Sequence, residues 1–147
     1  MIDLLIQQRT EEKTLVTKKN IRKGTVILQL EGSRTSSPTQ YSVQIGQELH
    51  IDIPKQFTQK NEDYYWAFLN HSCQPNAFFK NMQLIALTDI SENKEITFNY
   101  NTTELEMSNP FLCNCKQDHC INNVEGYKFL TPHQKQSIIE HTASYLY

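Results

Sequence analysis

The chain has 147 residues, 38% of them hydrophobic and only four of them glycine, with 14 Lys and Arg against 16 Asp and Glu. A net charge of −2 with scattered basic residues argues against a nucleic-acid-binding face, and no run approaches the roughly 20 apolar residues that span a membrane. Such a length predicts one domain, with a core thin enough to profit from a covalent or metal staple.

Residues 1–6 are too short, and lack the basic start, for a signal peptide. The expected setting is intracellular and cytosol-like, with a nuclear location or secretion into a host left open. The first hundred residues then read as short strands at 13–18, 25–30, 41–45, 48–53, 84–87 and 95–100, rich in β-branched and aromatic residues and partly alternating with period two. Gly24 closes the turn that follows Ile21, and Gly46 with Gln47 reads as a hairpin connection. Residues 33–40 are polar and contain a proline, as a loop would, and residues 57–69 leave room for a short helix. Thr131-Pro132-His133-Gln134 has the pattern of an N-cap, a first-turn proline and a capping-box Gln, opening a terminal helix that runs towards Tyr147. Ile138, Ile139, Tyr145 and Leu146 would share one side of it. The fold class is therefore mainly β with a short C-terminal helix.

All four cysteines fall in two places, Cys73 alone and then Cys113, Cys115 and Cys120 as Cys-x-Cys-x4-Cys. In a reducing compartment, clustered cysteines hold metal more often than they form disulfides. Four thiolates make a closed tetrahedral zinc site of the structural kind. Free buried thiols, or a disulfide within the cluster, are the competing readings.

The stretch Phe68-Leu69-Asn70-His71-Ser72-Cys73-Gln74-Pro75-Asn76 closely resembles the Asn-His-Ser-Cys-x-Pro-Asn motif of SET-domain lysine methyltransferases. Asn93-Lys94-Glu95-Ile96-Thr97-Phe98-Asn99-Tyr100 is similar to that family's second signature, and Phe111-Leu112-Cys113-Asn114-Cys115 with Cys120 to its post-SET element. The resemblance spans roughly residues 15–130. It implies a SET-like fold of small sheets with a knot-like C-terminal threading, organised as a SET domain over 1–109, a zinc-bound post-SET segment over 110–130 and a C-terminal helix over 131–147 in one compact unit. It further implies an S-adenosylmethionine-dependent protein-lysine N-methyltransferase with one structural zinc on Cys73, Cys113, Cys115 and Cys120.

Carried over residue by residue, the resemblance assigns Asn70 and His71 to the cofactor pocket and Tyr100, the catalytic residue, beside the methyl-transfer channel. Phe111 and Leu112 would close over the cofactor. Tyr41 would add a second channel hydroxyl. Phe98, two residues before Tyr100, takes the position of a Phe/Tyr switch, where phenylalanine implies addition of two or three methyl groups. The implied partner is a protein with an exposed lysine, such as a basic histone tail, with no direct contact to nucleic acid or membrane. One departure stands out. Where the family carries a Gly-x-Gly against the cofactor, this chain has Glu12-Lys13-Thr14, which puts Lys13 at the cofactor edge. That departure supports a second reading, a catalytically silent SET-like module that binds a basic peptide or partner protein. Asn93 replaces a family glycine, but Asn tolerates the left-handed backbone.

Overall fold

The computed structural model describes residues 2–55 and 64–147. Strands β1 (Leu4–Arg9) and β2 (Glu12–Thr17) form an antiparallel hairpin, and β2 buries Thr14, Leu15, Val16 and Thr17 at its far end. Strands β3 (Val26–Gln29), β8 (Ala77–Lys80) and β9 (Gln83–Ala86) make a sheet in the order β3-β9-β8. A second three-stranded sheet has the order β4-β6-β5, from β4 (Ser33–Thr35), β5 (Val43–Gly46) and β6 (Leu49–Asp52). Leu15, Ile21, Leu69, Leu84 and Ile96, each at most 3% exposed, sit in the core these sheets share.

Two very short pairings complete the fold. Strand β7 (Asn70–His71) runs parallel to β10 (Thr97–Phe98), with Asn70 opposite Thr97 and His71 opposite Phe98. Strand β11 (Phe111–Leu112) pairs antiparallel with β12 (Asn123–Val124). The segment before β10 is threaded between distant parts of the chain. On one side it bonds β2, through Thr17 N to Lys94 O at 3.1 Å and Ile96 N to Leu15 O at 2.8 Å. On the other, the Asn76 amide donates to Glu95 O at 2.8 Å and accepts from Thr97 N at 2.9 Å, replacing the strand partner the backbone lacks there.

Most expected strands are present within a residue or two. The strand expected over 95–100 stops at Phe98, because the Asn99 side chain accepts from Asn101 N at 3.0 Å and turns Tyr100–Thr102 into a 3-10 turn. The hairpin connection is Gln47-Glu48 rather than Gly46-Gln47, with Glu48 in the left-handed region at φ 50°. Part of the expected loop 33–40 is strand β4, paired to β6. Gly24 is left-handed at φ 86°, as its turn requires, and Asn93 adopts φ 67° in the family glycine's place. Of the helix expected within 57–69, residues 57–63 lie outside the described residues; Tyr65–Phe68 form a 3-10 turn.

The terminal helix is shorter than expected. Helix α1 (Pro132–Ile138) starts with the anticipated capping box between Thr131 and Gln134. It ends where the Thr142 hydroxyl takes the Ile138 carbonyl at 2.8 Å, and the chain continues in 3-10 turns over Ile139–His141 and Ser144–Leu146. Tyr145 then clasps the body of the fold, its hydroxyl donating to the carbonyls of Gln44 and Thr103. Gly126, at φ 119°, lies where a Cβ would meet Leu105 O at 2.5 Å, so only glycine lets this return segment pack so closely.

Candidate functional site

Strand β7 throws Cys73 towards the segment that carries the other three cysteines, where Cys113 follows β11. The four sulfurs of Cys73, Cys113, Cys115 and Cys120 lie within 4.8 Å of one another, and Cys73 and Cys113 are 3.8 Å apart. Zinc–sulfur bonds of about 2.3 Å in a tetrahedron give sulfur–sulfur edges of about 3.8 Å. A disulfide needs about 2.05 Å, so the cluster has the spacing of metal ligands rather than of a bridge. Burial pushes the Cys73 thiol up and the Cys113 thiol up to about 11. Burial opposes ionisation of Cys115 too, but backbone N–H donors from Gln117 and Cys73, together with the Cys113 and Cys120 thiols, outweigh it and bring that thiol down to about 6.

Beside the cluster opens a cleft of about 970 Å³. Its walls come from the β1–β2 tip (Glu11, Glu12), the approach to β5 (Tyr41), β7 (Asn70, His71), the turn at Tyr100 and the β11 pair Phe111 and Leu112. Four carboxylates line it, Glu11, Glu12, Glu95 and Glu104, and no Lys or Arg does so among the described residues. The Tyr100 hydroxyl donates to the Leu69 carbonyl. Burial first, then the nearby charges of Glu104, Glu12 and Glu95, hold that phenol well above its ordinary pKa, so it stays protonated. The Tyr100 ring stands 4.9 Å from Phe98, 5.4 Å from His71 and 5.8 Å from Phe111.

His71 is committed on both nitrogens. Tyr100 N donates to its Nδ1 at 3.0 Å, and its Nε2 is 3.4 Å from Cys73 Sγ. Burial lowers its pKa to about 4, so the ring is neutral at physiological pH. Asn70 is equally engaged, its amide donating to Lys13 O at 3.2 Å and Glu95 Oε1 at 2.9 Å. What these two residues offer the cleft is therefore backbone and ring face.

The SET-domain profile matches residues 12–101, more than half of the chain. The chain belongs to the SET-domain family. It is 32% identical over 113 residues to a variant-silencing SET domain-containing protein of Plasmodium falciparum, covering 71% of this chain and 4% of that one. It is 29% identical over 92 residues to the methyltransferase flvH of Aspergillus flavus, covering 60% and 47%. The chain thus spans less than half the length of either relative. Among solved structures, KRYPTONITE in complex with methylated DNA, an H3(1–15) peptide and SAH matches with a TM-score of 0.59 at 20% identity, over 84% of this chain and 29% of that one.

Within this SET domain, the sequence-predicted residues Asn70, His71, Phe98, Tyr100, Phe111 and Leu112 all meet at one cleft, and the four cysteines meet beside it. Leu112 is 74% exposed and Phe111 38%, as befits a flap at the rim of the cleft. Tyr41 lines the cleft from a turn rather than from the head of a strand, since β5 begins at Val43. In the Glu12-Lys13-Thr14 stretch, Thr14 is fully buried and the Lys13 ammonium lies 5.6 Å over the Phe68 ring. Only Glu12 of the three faces the cleft. Sequence reasoning missed Asn76 and Glu95, which orient the threaded segment and Asn70, and it missed Glu104. Asn76 was visible as a motif residue without a role; nothing in the pattern marks Glu104 as buried.

Glu104 is 8% exposed, takes Gln44 N at 2.9 Å and the Thr103 hydroxyl at 2.7 Å on one oxygen, and faces His50 Nδ1 at 3.9 Å with the other. That His50 nitrogen finds no hydrogen-bond partner among the described residues. Burial raises the Glu104 carboxyl from 4.5 to about 7, against the pull of its two donors. Between those values the folded chain binds the proton and the unfolded chain releases it, so this group's contribution to stability falls as pH climbs from about 4.5 to about 7 and is flat above. Glu104→Gln cannot ionise, and its amide can donate to His50. It should be about 1–3 kcal/mol more stable than the parent at pH 8, with the gap closing below pH 5. Urea unfolding of both proteins across that range measures it; His50 is common to both, so a pH-independent difference would mean that the carboxyl titrates normally.

Proposed function

We propose that this SET domain is an S-adenosylmethionine-dependent protein-lysine N-methyltransferase whose cysteine cluster holds one structural zinc. The observation that carries the reading is Tyr100. Its hydroxyl proton is committed to Leu69 O, so the oxygen's remaining lone pairs are acceptors at the centre of an aromatic, acid-lined cleft. S-adenosylmethionine supplies a methyl group on a cationic sulfur. Both that cation and a lysine side chain suit a cleft bearing four carboxylates and no Lys or Arg among its described lining residues.

Because Tyr100 stays protonated, its oxygen accepts weak C–H contacts and fixes direction rather than taking a proton. An unperturbed lysine, with a pKa near 10.4, is neutral in roughly one molecule per thousand at pH 7. Walls built of Phe98, Tyr100 and Phe111 favour that neutral form by desolvation. Cofactor contacts fall to the Asn70 and His71 backbone and to Tyr100, with Phe111 and Leu112 folding over them; Lys13, expected at the cofactor edge, lies over Phe68 instead. Tyr41, 46% exposed, stands at the mouth where a substrate chain enters. The SAH and H3 peptide of the KRYPTONITE complex support this cofactor and an exposed lysine on a basic tail as substrate.

A second reading, a SET module without catalysis, is favoured by Glu12, which stands in the cleft where the family pattern has glycine. Against it, Thr14 and Lys13 point elsewhere, so of the three residues only the exposed Glu12 side chain enters the cleft.

The zinc assignment predicts one equivalent of zinc in purified protein. Cys115→Ser should release it and loosen residues 110–130, because binding and folding are linked there; metal-free protein of unchanged stability would refute it. Tyr100→Phe should lower turnover on a lysine peptide by about a hundredfold or more, the scale of one lost transition-state hydrogen-bond partner, with SAH affinity and zinc content unchanged. Near-full turnover in that variant would contradict the role of the hydroxyl. Phe98, 3% exposed and packed between Phe79 and Tyr100, has no hydroxyl with which to hold a water in the space a second or third methyl would take. The wild type should therefore add two or three methyl groups, and Phe98→Tyr should shift the product towards one. Mass spectrometry of the peptide decides, and monomethyl product from both proteins would remove Phe98 from that role.

A further inference from the structure

The cysteine cluster and the cleft are joined by one side chain. A backbone N–H can only donate, so the 3.0 Å contact from Tyr100 N makes His71 Nδ1 an acceptor. In a neutral imidazole the proton then sits on Nε2, and that nitrogen is 3.4 Å from Cys73 Sγ. The ring is held in this orientation by the β7–β10 pairing at its backbone and by edge contacts with Tyr100 and Phe111, at 5.4 and 6.0 Å. We infer that His71 is a positioning residue coupling the metal cluster to the cleft: it donates Nε2–H to the Cys73 sulfur and, through Nδ1, holds the Tyr100 backbone.

This rests on the zinc reading of the cluster but not on methyl transfer. A metal-bound thiolate is a fixed, charged acceptor, and an N–H donated to it both orients the ligand and withdraws charge from sulfur. The same ring sets the first residue of the 3-10 turn that aims Tyr100. Metal at Cys73 therefore keeps the tautomer that holds Tyr100, and an ordered Tyr100 keeps the donor on Cys73. By linkage, each supports the other with the same free energy.

The two nitrogens can be separated by amide mimicry. The shorter amide of His71→Asn lies near the Nδ1 position, able to accept from Tyr100 N but unable to reach Cys73; the longer amide of His71→Gln reaches the Nε2 position and can donate to sulfur. With the full chain and no cofactor, zinc affinity is measured by competition against a chromophoric chelator. His71→Asn should bind zinc about 10–100-fold more weakly, the scale of a lost outer contact to a metal ligand, while His71→Gln should recover most of that loss. Equal affinity of His71→Asn and the parent would overturn the inference, and so would equal loss in both variants, which is the mark of a merely structural ring. The parent alone gives an independent reading that does not depend on either variant folding. With cadmium-113 in the cluster, the His71 Hε2 proton should show scalar coupling to the metal across the N–H···S bond. A His71 that carries its proton on Nδ1, or shows no such coupling, contradicts the assignment. A chain that fails to bind S-adenosylmethionine would leave all of these outcomes unchanged.

Discussion

Everything at the site hangs on the two-residue parallel pairing of Asn70-His71 with Thr97-Phe98. Two residues of strand cannot hold themselves. The pairing survives because Ile96, fully buried, and Phe98 anchor one partner in the core while Asn76 supplies both a donor and an acceptor to the backbone around it. Full burial of one such apolar side chain contributes about 1.5–3 kcal/mol, more than a typical net hydrogen bond at about 1 kcal/mol. Packing thus supplies the larger share and the Asn76 amide removes what would otherwise be a penalty. From this pairing follow the reach of Cys73 to the other three cysteines, the edge-to-face contact of His71 with Tyr100 and the placing of the Tyr100 hydroxyl on Leu69 O.

The cleft balances two opposed demands. Its carboxylates draw in cations, yet burial weakens charge close to Tyr100: His71 is neutral because burial holds it near 4, and burial raises the Glu104 carboxyl to about 7. The exposed carboxylates Glu11 and Glu12 stand at the β1–β2 tip, and half-buried Glu95 lines the wall. Attraction at the mouth and desolvation at the waist suit an amine that must arrive charged and react neutral.

Much of this was legible in the sequence, for reasons that differ by residue. The motif residues Asn70, His71, Cys73, Phe98, Tyr100 and the post-SET cysteines could be placed together because their types and spacing are rare outside one family. Strand β9 announced itself by an alternation that the burial follows, and β6 by apolar alternation in the sequence although His50 is buried as well. Strand β1 did not, since only Leu4 and Ile6 of its six residues are even partly buried. Pairings of two residues, β7 with β10 and β11 with β12, are too short for any periodicity to mark. Asn99 cut a predicted strand because its side chain outcompeted the ladder, and Thr142 ended the terminal helix in a similar way. Glu104 was invisible because a charged residue reads as surface unless its partners, here Gln44 and Thr103, are known.

The departure at Glu12-Lys13-Thr14 bears most directly on the central claim, that this cleft takes S-adenosylmethionine. Calorimetric titration of S-adenosylhomocysteine into the zinc-loaded chain tests it without requiring a substrate. The account predicts a single site with affinity on the order of micromolar, about −8 kcal/mol, tightened when Glu12 is replaced by glycine. Folded, zinc-loaded protein that shows no binding, with Glu12 or with glycine in its place, would contradict it.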